Sequence, residues 1–207
     1  KEILSLWSGL GYNNRALRLH ETSKILSKKS FNSIYPNFDL LPGVGKYTKS
    51  ALLSFAYEEK VIAQDTNVKR IFSRFFGIEN PQIFIEKNEK NILKNIKSRK
   101  FNEILMDFGS KICTSKNPLC KECVLEANCK KFFLDTKYTY EPFKNSNREI
   151  RGKIIKHLVV NESVKISSLK EFLKIEDSRI ESIIKKLADE GMIHIKNKKL
   201  IEISWQQ

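Results

Sequence analysis

Cysteine is absent from this 207-residue chain except in one window, Ile112 to Cys129, which holds all four. Glycine (8) and proline (5) are also scarce, and no internal repeat or low-complexity tract interrupts the chain. A disulfide framework spread through the fold, a fibrous chain and a repeat array are therefore excluded. No run of eighteen apolar residues is present for a bilayer span. The first residues, Lys1 to Leu10, lack a charged leader followed by an apolar stretch and a small-residue cleavage site. These gaps predict an intracellular protein with no membrane association. Acidic residues are the last shortage, with 24 Asp and Glu against 38 Lys and Arg, which gives a net charge of +14. The basic residues are spread along the chain, which points to a polyanionic partner. Solvated faces of lysine-rich helices are the plainer explanation of the same charge. What is plentiful is apolar content, 41%, enough to bury the core of one large domain or two small ones.

The cysteine gaps read C-x6-C-x2-C-x5-C, from Cys113 through Cys120 and Cys123 to Cys129. In a reducing cytosol four thiols this close are expected as metal ligands. A structural zinc site usually offers two C-x2-C knuckles far apart. Here a single close pair is flanked by the other two in one short loop, a ligand set suited to a 4Fe-4S cluster. Zinc, or four unrelated buried cysteines, remain the alternatives on spacing alone. Lys111, Lys116, Lys121, Lys130 and Lys131 surround the window and would turn positive charge outward, towards a phosphate backbone.

Apolar periodicity predicts a mainly helical chain. Leu6, Leu10, Leu17 and Ile25 follow helical spacing, interrupted at "SGLGYNN". Helices are expected over Asn32 to Leu40, from Lys46, from Asp65 to Gly77, over Ile83 to Ile96 and over Phe101 to Ile112. Residues 132–147 read as a linker. From 148 to 205, three short helices precede isoleucines that alternate with polar residues on either side of a lysine-rich turn, the layout of a small winged-helix-like α+β unit. That unit is basic, with fifteen Lys and Arg against ten Asp and Glu from Thr136 to Gln207. Its third helix mixes charges, so Lys196, Lys198 and Lys199 of the wing are the better phosphate contacts.

Two stretches outside the cysteine window bear on chemistry. In "LPGVGKYT", Gly43 and Gly45 bracket Val44 after Pro42, and a helix restarts at Lys46. A tight glycine turn and the free amides of a helix N-terminus together make a phosphate seat, or a plain interhelical turn. Asp65 in "IAQDTNVKR" precedes a helical run. It serves there as an N-cap, or places an anion, favoured by the helix dipole, beside a reacting group.

Taken together, "LPGVGKYT", the Asp65 segment and the cysteine loop resemble the helix-hairpin-helix DNA glycosylase superfamily that includes endonuclease III. "LWSGLGYNNRALRLH", "QDTNVKR" and "FNEILMDFGSKIC" are most similar to its MutY-type adenine DNA glycosylases. The resemblance spans residues 1–131 and implies a partial glycosylase helical domain that ends in an iron-sulfur loop at 112–130. It also implies base excision from a nucleotide flipped out of a duplex. In these roles Asp65 would stabilise an oxocarbenium-like sugar, Asn67 would help hold the site, and Tyr12 would enter the base stack. Pro42, Gly43, Val44, Gly45 and Lys46 would hold a phosphate, and the four cysteines would hold the 4Fe-4S cluster. Tyr47 stands where the bifunctional branch has an amine nucleophile, which implies a monofunctional glycosylase acting through water.

The expected substrate is double-stranded DNA with adenine opposite 8-oxoguanine or guanine, bound by a monomer in a prokaryote-like, nucleoid-associated cytoplasm. Thymine excision from T:G mismatches is the alternative within the superfamily. A non-catalytic iron-sulfur winged-helix DNA-binding protein or regulator is the alternative outside it. The chain begins at Lys1, well inside the family's domain. The segment bearing the glutamate that protonates the departing adenine has no counterpart here, which implies an N-terminally truncated and inactive piece. No β-rich domain for reading 8-oxoguanine is recognisable at the C-terminus, where the winged-helix-like unit stands.

Overall fold

The break at "SGLGYNN" separates two helices, α1 (Glu2–Leu6) and α2 (Asn14–Leu26). The computed structural model describes residues 2–7, 10–133, 142–161, 163–197 and 199–204. The helix expected over 32–40 is instead α3 (Phe31–Ile34) and a separate 3-10 turn, Phe38–Leu40. Pro36 lies between them, lacks an amide donor and disfavours helical geometry in Tyr35. Further along come α4 (Lys46–Ala56) and α5 (Thr66–Phe76), the latter ended by Gly77 in the left-handed conformation. Two more helices follow, α6 (Pro81–Ile92) and α7 (Ser98–Lys111). Both start earlier than expected. Pro81 supplies the first turn of α6, where its missing N–H is no loss.

The chain divides into two compact units, Lys29–Lys137 and, as the second, Lys1–Lys28 together with Tyr138–Gln207. The first is built on Ile62, Val68, Phe72, Ile85 and Leu93, packed by Phe84, Ile92, Phe101 and Leu105. Beside them Phe31, Tyr35, Phe38 and Tyr57 stack, with Tyr35 and Tyr57 at 4.8 Å between centroids.

The second unit holds α8 (Asn147–Asn161), β1 (Ser163–Lys165), α9 (Ile166–Leu173), α10 (Asp177–Asp189), β2 (Ile193–Lys196) and β3 (Leu200–Ile203). The sheet is antiparallel in the order β1-β3-β2, with Ile201 opposite both Val164 and Ile195. Three helices and a hairpin closed by an extra strand make the winged-helix-like arrangement. No local pattern marks β1, because three residues carry no alternation signal and its partner lies far along the chain. Residues 1–28 fall in this unit, not with the rest of 1–131, because Leu4, Ala16, Trp7 and Leu17 bury against the core of Ile154, Leu158, Leu187 and Ile201. Of the expected linker, 134–141 lie outside the described residues, as do Lys198 and Trp205. Its end is ordered by a cap, where Ser146 Oγ accepts the Glu149 amide at 3.3 Å and Glu149 accepts the Asn145 amide. Among the described residues no helix is long and apolar enough to cross a membrane.

Candidate active site and cysteine cleft

Leu41 is buried and anchors the "LPGVG" turn. The Val44 amide returns to the Leu41 carbonyl at 3.1 Å, and Gly43 sits at φ 81, a conformation that costs glycine little. Gly45 is the N-cap of α4 and brings no side chain to its first amides. Lys46 is exposed, with Glu86 at 3.8 Å. The turn therefore offers uncapped amides and a solvated cation on one helix start, the requirements of an anion seat. Tyr47 is exposed beside it.

Among the described residues the extended segment Val61 to Ala63 pairs with no strand, and side chains satisfy most of its backbone. Glu89 Oε1 accepts the Ile62 amide at 2.6 Å, Ser98 Oγ accepts the Val61 amide at 3.2 Å, and Asn102 Oδ1 accepts the Ala63 amide at 3.0 Å. Asn102, fully buried, also donates to the Val61 carbonyl at 2.9 Å and to Ser54 Oγ at 2.8 Å. Burial pushes the Glu89 carboxyl above its usual range, the Ile62 amide opposes that, and Glu86 adds to it.

This segment delivers Asp65 to the start of α5. Asp65 Oδ1 accepts the Val68 amide at 2.7 Å as an N-cap, and Oδ2 accepts from Asn67 Nδ2 at 3.0 Å. Asn67 Oδ1 accepts in turn from Arg70 Nη2 at 2.7 Å. Arg70 reaches the Gly109 carbonyl at 2.7 Å and, through Nε, the Cys113 carbonyl at 2.8 Å. Burial and then the Arg74 charge lower the Arg70 pKa, while Cys113 and Asp65 oppose the shift. α5 and α7 meet closely at Gly109, where an added Cβ would lie 2.6 Å from Asn67 Cβ.

Cys113, Cys120, Cys123 and Cys129 are half-buried and line one cleft with Arg74, Leu119 and Phe133. Arg74 donates to the Thr114 and Ser115 carbonyls at 2.6 and 2.8 Å, lies 3.4 Å from Cys113 Sγ and packs over the Phe133 ring at 4.7 Å. The loop returns to the end of α5 through the Lys130 and Phe132 amides, bonded to the Phe75 and Arg74 carbonyls. Among the described residues no three of His, Cys, Asp and Glu converge on a point suited to a single metal ion. Four thiols around one cleft, with an arginine against one of them, have the donor chemistry for a thiolate-held cluster.

The structure thus joins Asp65 to Asn67, and both through Arg70 to the backbone of Cys113. Tyr47 makes no hydrogen bond to Asp65 or Asn67 among the described residues. Tyr12 belongs to the other unit. Motif and composition do not single out Arg70, Arg74, Glu89, Ser98 or Asn102. The signal present is spacing, with Asn67, Arg70 and Arg74 on one face of α5 and Ser98 and Asn102 one turn apart on α7. In the wing, Lys196 is paired with Glu202 at 2.7 Å, so its charge is partly spent.

The family model described as "HhH-GPD superfamily base excision DNA repair protein" matches residues 1–97. The adenine DNA glycosylase of Buchnera aphidicola subsp. Baizongia pistaciae is 38% identical over 156 residues, 72% of this chain and 44% of that protein. Its counterpart from Buchnera aphidicola subsp. Acyrthosiphon pisum is 36% identical over 169 residues, 77% of this chain and 48% of that protein. The chain spans about half the length of these curated relatives. A solved thermostable thymine-DNA glycosylase superposes with TM-score 0.56 at 28% identity, covering 63% of this chain and 64% of that one. The glycine turn, the Asp65–Asn67 pair and these likenesses fall on the same stretch of sequence, where the chain is similar to the HhH-GPD superfamily of base excision DNA repair proteins.

Proposed function

We propose that this chain carries the base-excising part of a monofunctional DNA glycosylase that removes adenine mispaired with 8-oxoguanine or guanine. The observation that carries the reading is Asp65, a half-buried carboxylate fixed on both oxygens at a helix start and tied through Asn67 and Arg70 into the packed α5–α7 interface. In the reaction the bond between C1′ and the base nitrogen breaks, the sugar acquires oxocarbenium character, and a fixed anion beside it lowers the barrier. Water then supplies hydroxyl to C1′ and a proton to the departing base. The turn at Pro42, Gly43, Val44, Gly45 and Lys46 holds a backbone phosphate, Tyr12 stacks beside the flipped nucleotide, and a phenol at Tyr47 leaves no amine to form a Schiff base. Cys113, Cys120, Cys123 and Cys129 would hold a 4Fe-4S cluster, which when bound would crosslink the loop that Arg70 and Arg74 grip.

Release of free adenine from a duplex carrying A opposite 8-oxoguanine tests the function. It is measured on this chain and on an extended protein in which this chain is joined to the part of the Baizongia relative that the match leaves uncovered. The extended protein should release adenine, and borohydride should trap no covalent complex. No release from either form would overturn the reading. The likeness to a thymine-DNA glycosylase favours a second substrate, and thymine release from a T:G duplex in preference to adenine would establish it instead. Anaerobically purified protein should carry about four irons per chain, and one zinc in their place would remove the cluster.

A further inference from the structure

Within the unit that contains both termini, one surface gathers exposed aromatic rings and guanidinium groups. Tyr12 is 63% exposed and Phe143 52% exposed. The Arg148 guanidinium lies 5.5 Å from the Tyr12 ring centroid and 4.9 Å from that of Phe143, and its Nη1 donates to the Tyr12 hydroxyl at 2.8 Å. Arg15 lies 5.8 Å from the Tyr12 ring and 5.3 Å from that of Trp7. Two cations thus lie against one exposed ring.

The surface is held in place. Tyr12 sits at φ 48, a left-handed conformation that a bulky residue adopts only where its surroundings impose it. Arg148 lies on the first turn of α8, and that turn is pinned from α10, with Arg179 donating to Asn147 Oδ1 at 2.9 Å and to the Asn145 carbonyl at 2.6 Å. The nearby carboxylate, Glu149, is engaged by Lys153 at 2.8 Å and by the Asn145 amide. It is therefore occupied elsewhere and does not neutralise Arg148.

We propose that Tyr12, Arg15, Phe143 and Arg148 form a stacking surface for an unstacked nucleotide of opened or single-stranded DNA, to which the winged-helix-like unit contributes Arg148 and Phe143. The exposed parts of the rings and the planar guanidinium groups take bases, and the guanidinium charge takes the adjoining phosphates while cation–π contact orients the rings. The unit's contribution to DNA binding is thereby placed at the start of α8. Lys196 of the wing is the weaker candidate, because it already faces Glu202. The inference rests on the DNA-repair reading for its choice of polymer, and its test is independent of base release.

The test is fluorescence-anisotropy titration of the full chain against a fluorescein-labelled oligothymidine and a matched duplex, over a range of salt. Variants are Tyr12→Ala, Arg148→Ala, their combination, Arg148→Lys, and Lys156→Ala as a charge-removal control on the outer part of α8. Tyr12→Ala and Arg148→Ala should each weaken oligothymidine binding about tenfold, as loss of one stacked base does. The double variant should lose less than the product of the two. Arg148→Lys should keep the salt slope and lose most of the affinity, since an ammonium keeps the charge without the planar stack. The inference is overturned if Arg148→Ala matches Lys156→Ala, if the two losses multiply, or if Arg148→Lys binds as the parent does. An extended protein that releases adenine while Arg148→Ala binds normally sinks this inference and spares the glycosylase reading. Absent base release with the expected binding losses does the reverse.

Discussion

Asn102→Ala isolates what holds Asp65 in place. Asn102 is fully buried and makes three short bonds, to the Ala63 amide, the Val61 carbonyl and Ser54 Oγ. After truncation the Val61 carbonyl keeps Ser98, at 2.5 Å, and Ser54 keeps its contact with Ser98 at 2.9 Å. The Ala63 amide, on a residue with no exposed surface, is left with nothing. Orphaning it costs about 1–3 kcal/mol, and the two replaceable bonds add roughly 0.5–1.5 kcal/mol each, for a total near 3–4 kcal/mol. Ser54→Ala, whose partners retain other bonds, should cost only about 1 kcal/mol. Amide hydrogen exchange reads the difference at one site, and protection of Ala63 should fall by about two orders of magnitude in Asn102→Ala. Because the Asp65 amide bonds back to the Ala63 carbonyl at 3.0 Å, base excision by the extended protein should fall with it while DNA affinity holds. Loss of less than about 1 kcal/mol, or unchanged Ala63 protection, would refute the claim that this side chain carries the segment.

Asp65→Asn keeps a competent N-cap and removes the charge, so thermal stability should change little while excision in the extended protein is abolished; a near-normal rate would reduce Asp65 to its capping role. Gly109→Ala places a carbon 2.6 Å from Asn67 Cβ and should cost about 1–3 kcal/mol in a urea titration and displace Asn67, whereas a neutral change would show that α5 and α7 do not meet this closely. Glu89, whose pKa is raised chiefly by burial, holds its proton in the folded state to higher pH than in the unfolded chain. Its contribution is therefore full below the usual glutamate pKa and is lost as pH rises through the folded value. The stability of the parent minus that of Glu89→Gln should accordingly decline as pH rises past about 4.3, and a flat or rising difference contradicts it.

Chemistry confined to a few neighbouring residues is legible in the sequence by itself. Asp65 caps the helix that its position suggests, Gly77 ends it, the glycine turn precedes α4, and the C-terminal isoleucines pair as a hairpin. These outcomes depend on interactions within about a turn of chain, which composition and spacing encode directly. Tertiary structure decides what those residues lean on. Asn102 meets Ala63 across 39 positions and Arg70 meets Cys113 across 43, and a polar residue on a helix face does not announce which distant amide or carbonyl it will satisfy. Residues 1–28 carry a helical pattern that fits either unit, and only the burial of Leu4 and Ala16 in one core assigns them. Lys196 reads as free charge along the chain, yet the register of β2 with β3 sets Glu202 beside it. Local sequence fixes a residue's backbone and chemical type, while its partner is fixed only when the packing of separate elements brings it within about 3 Å.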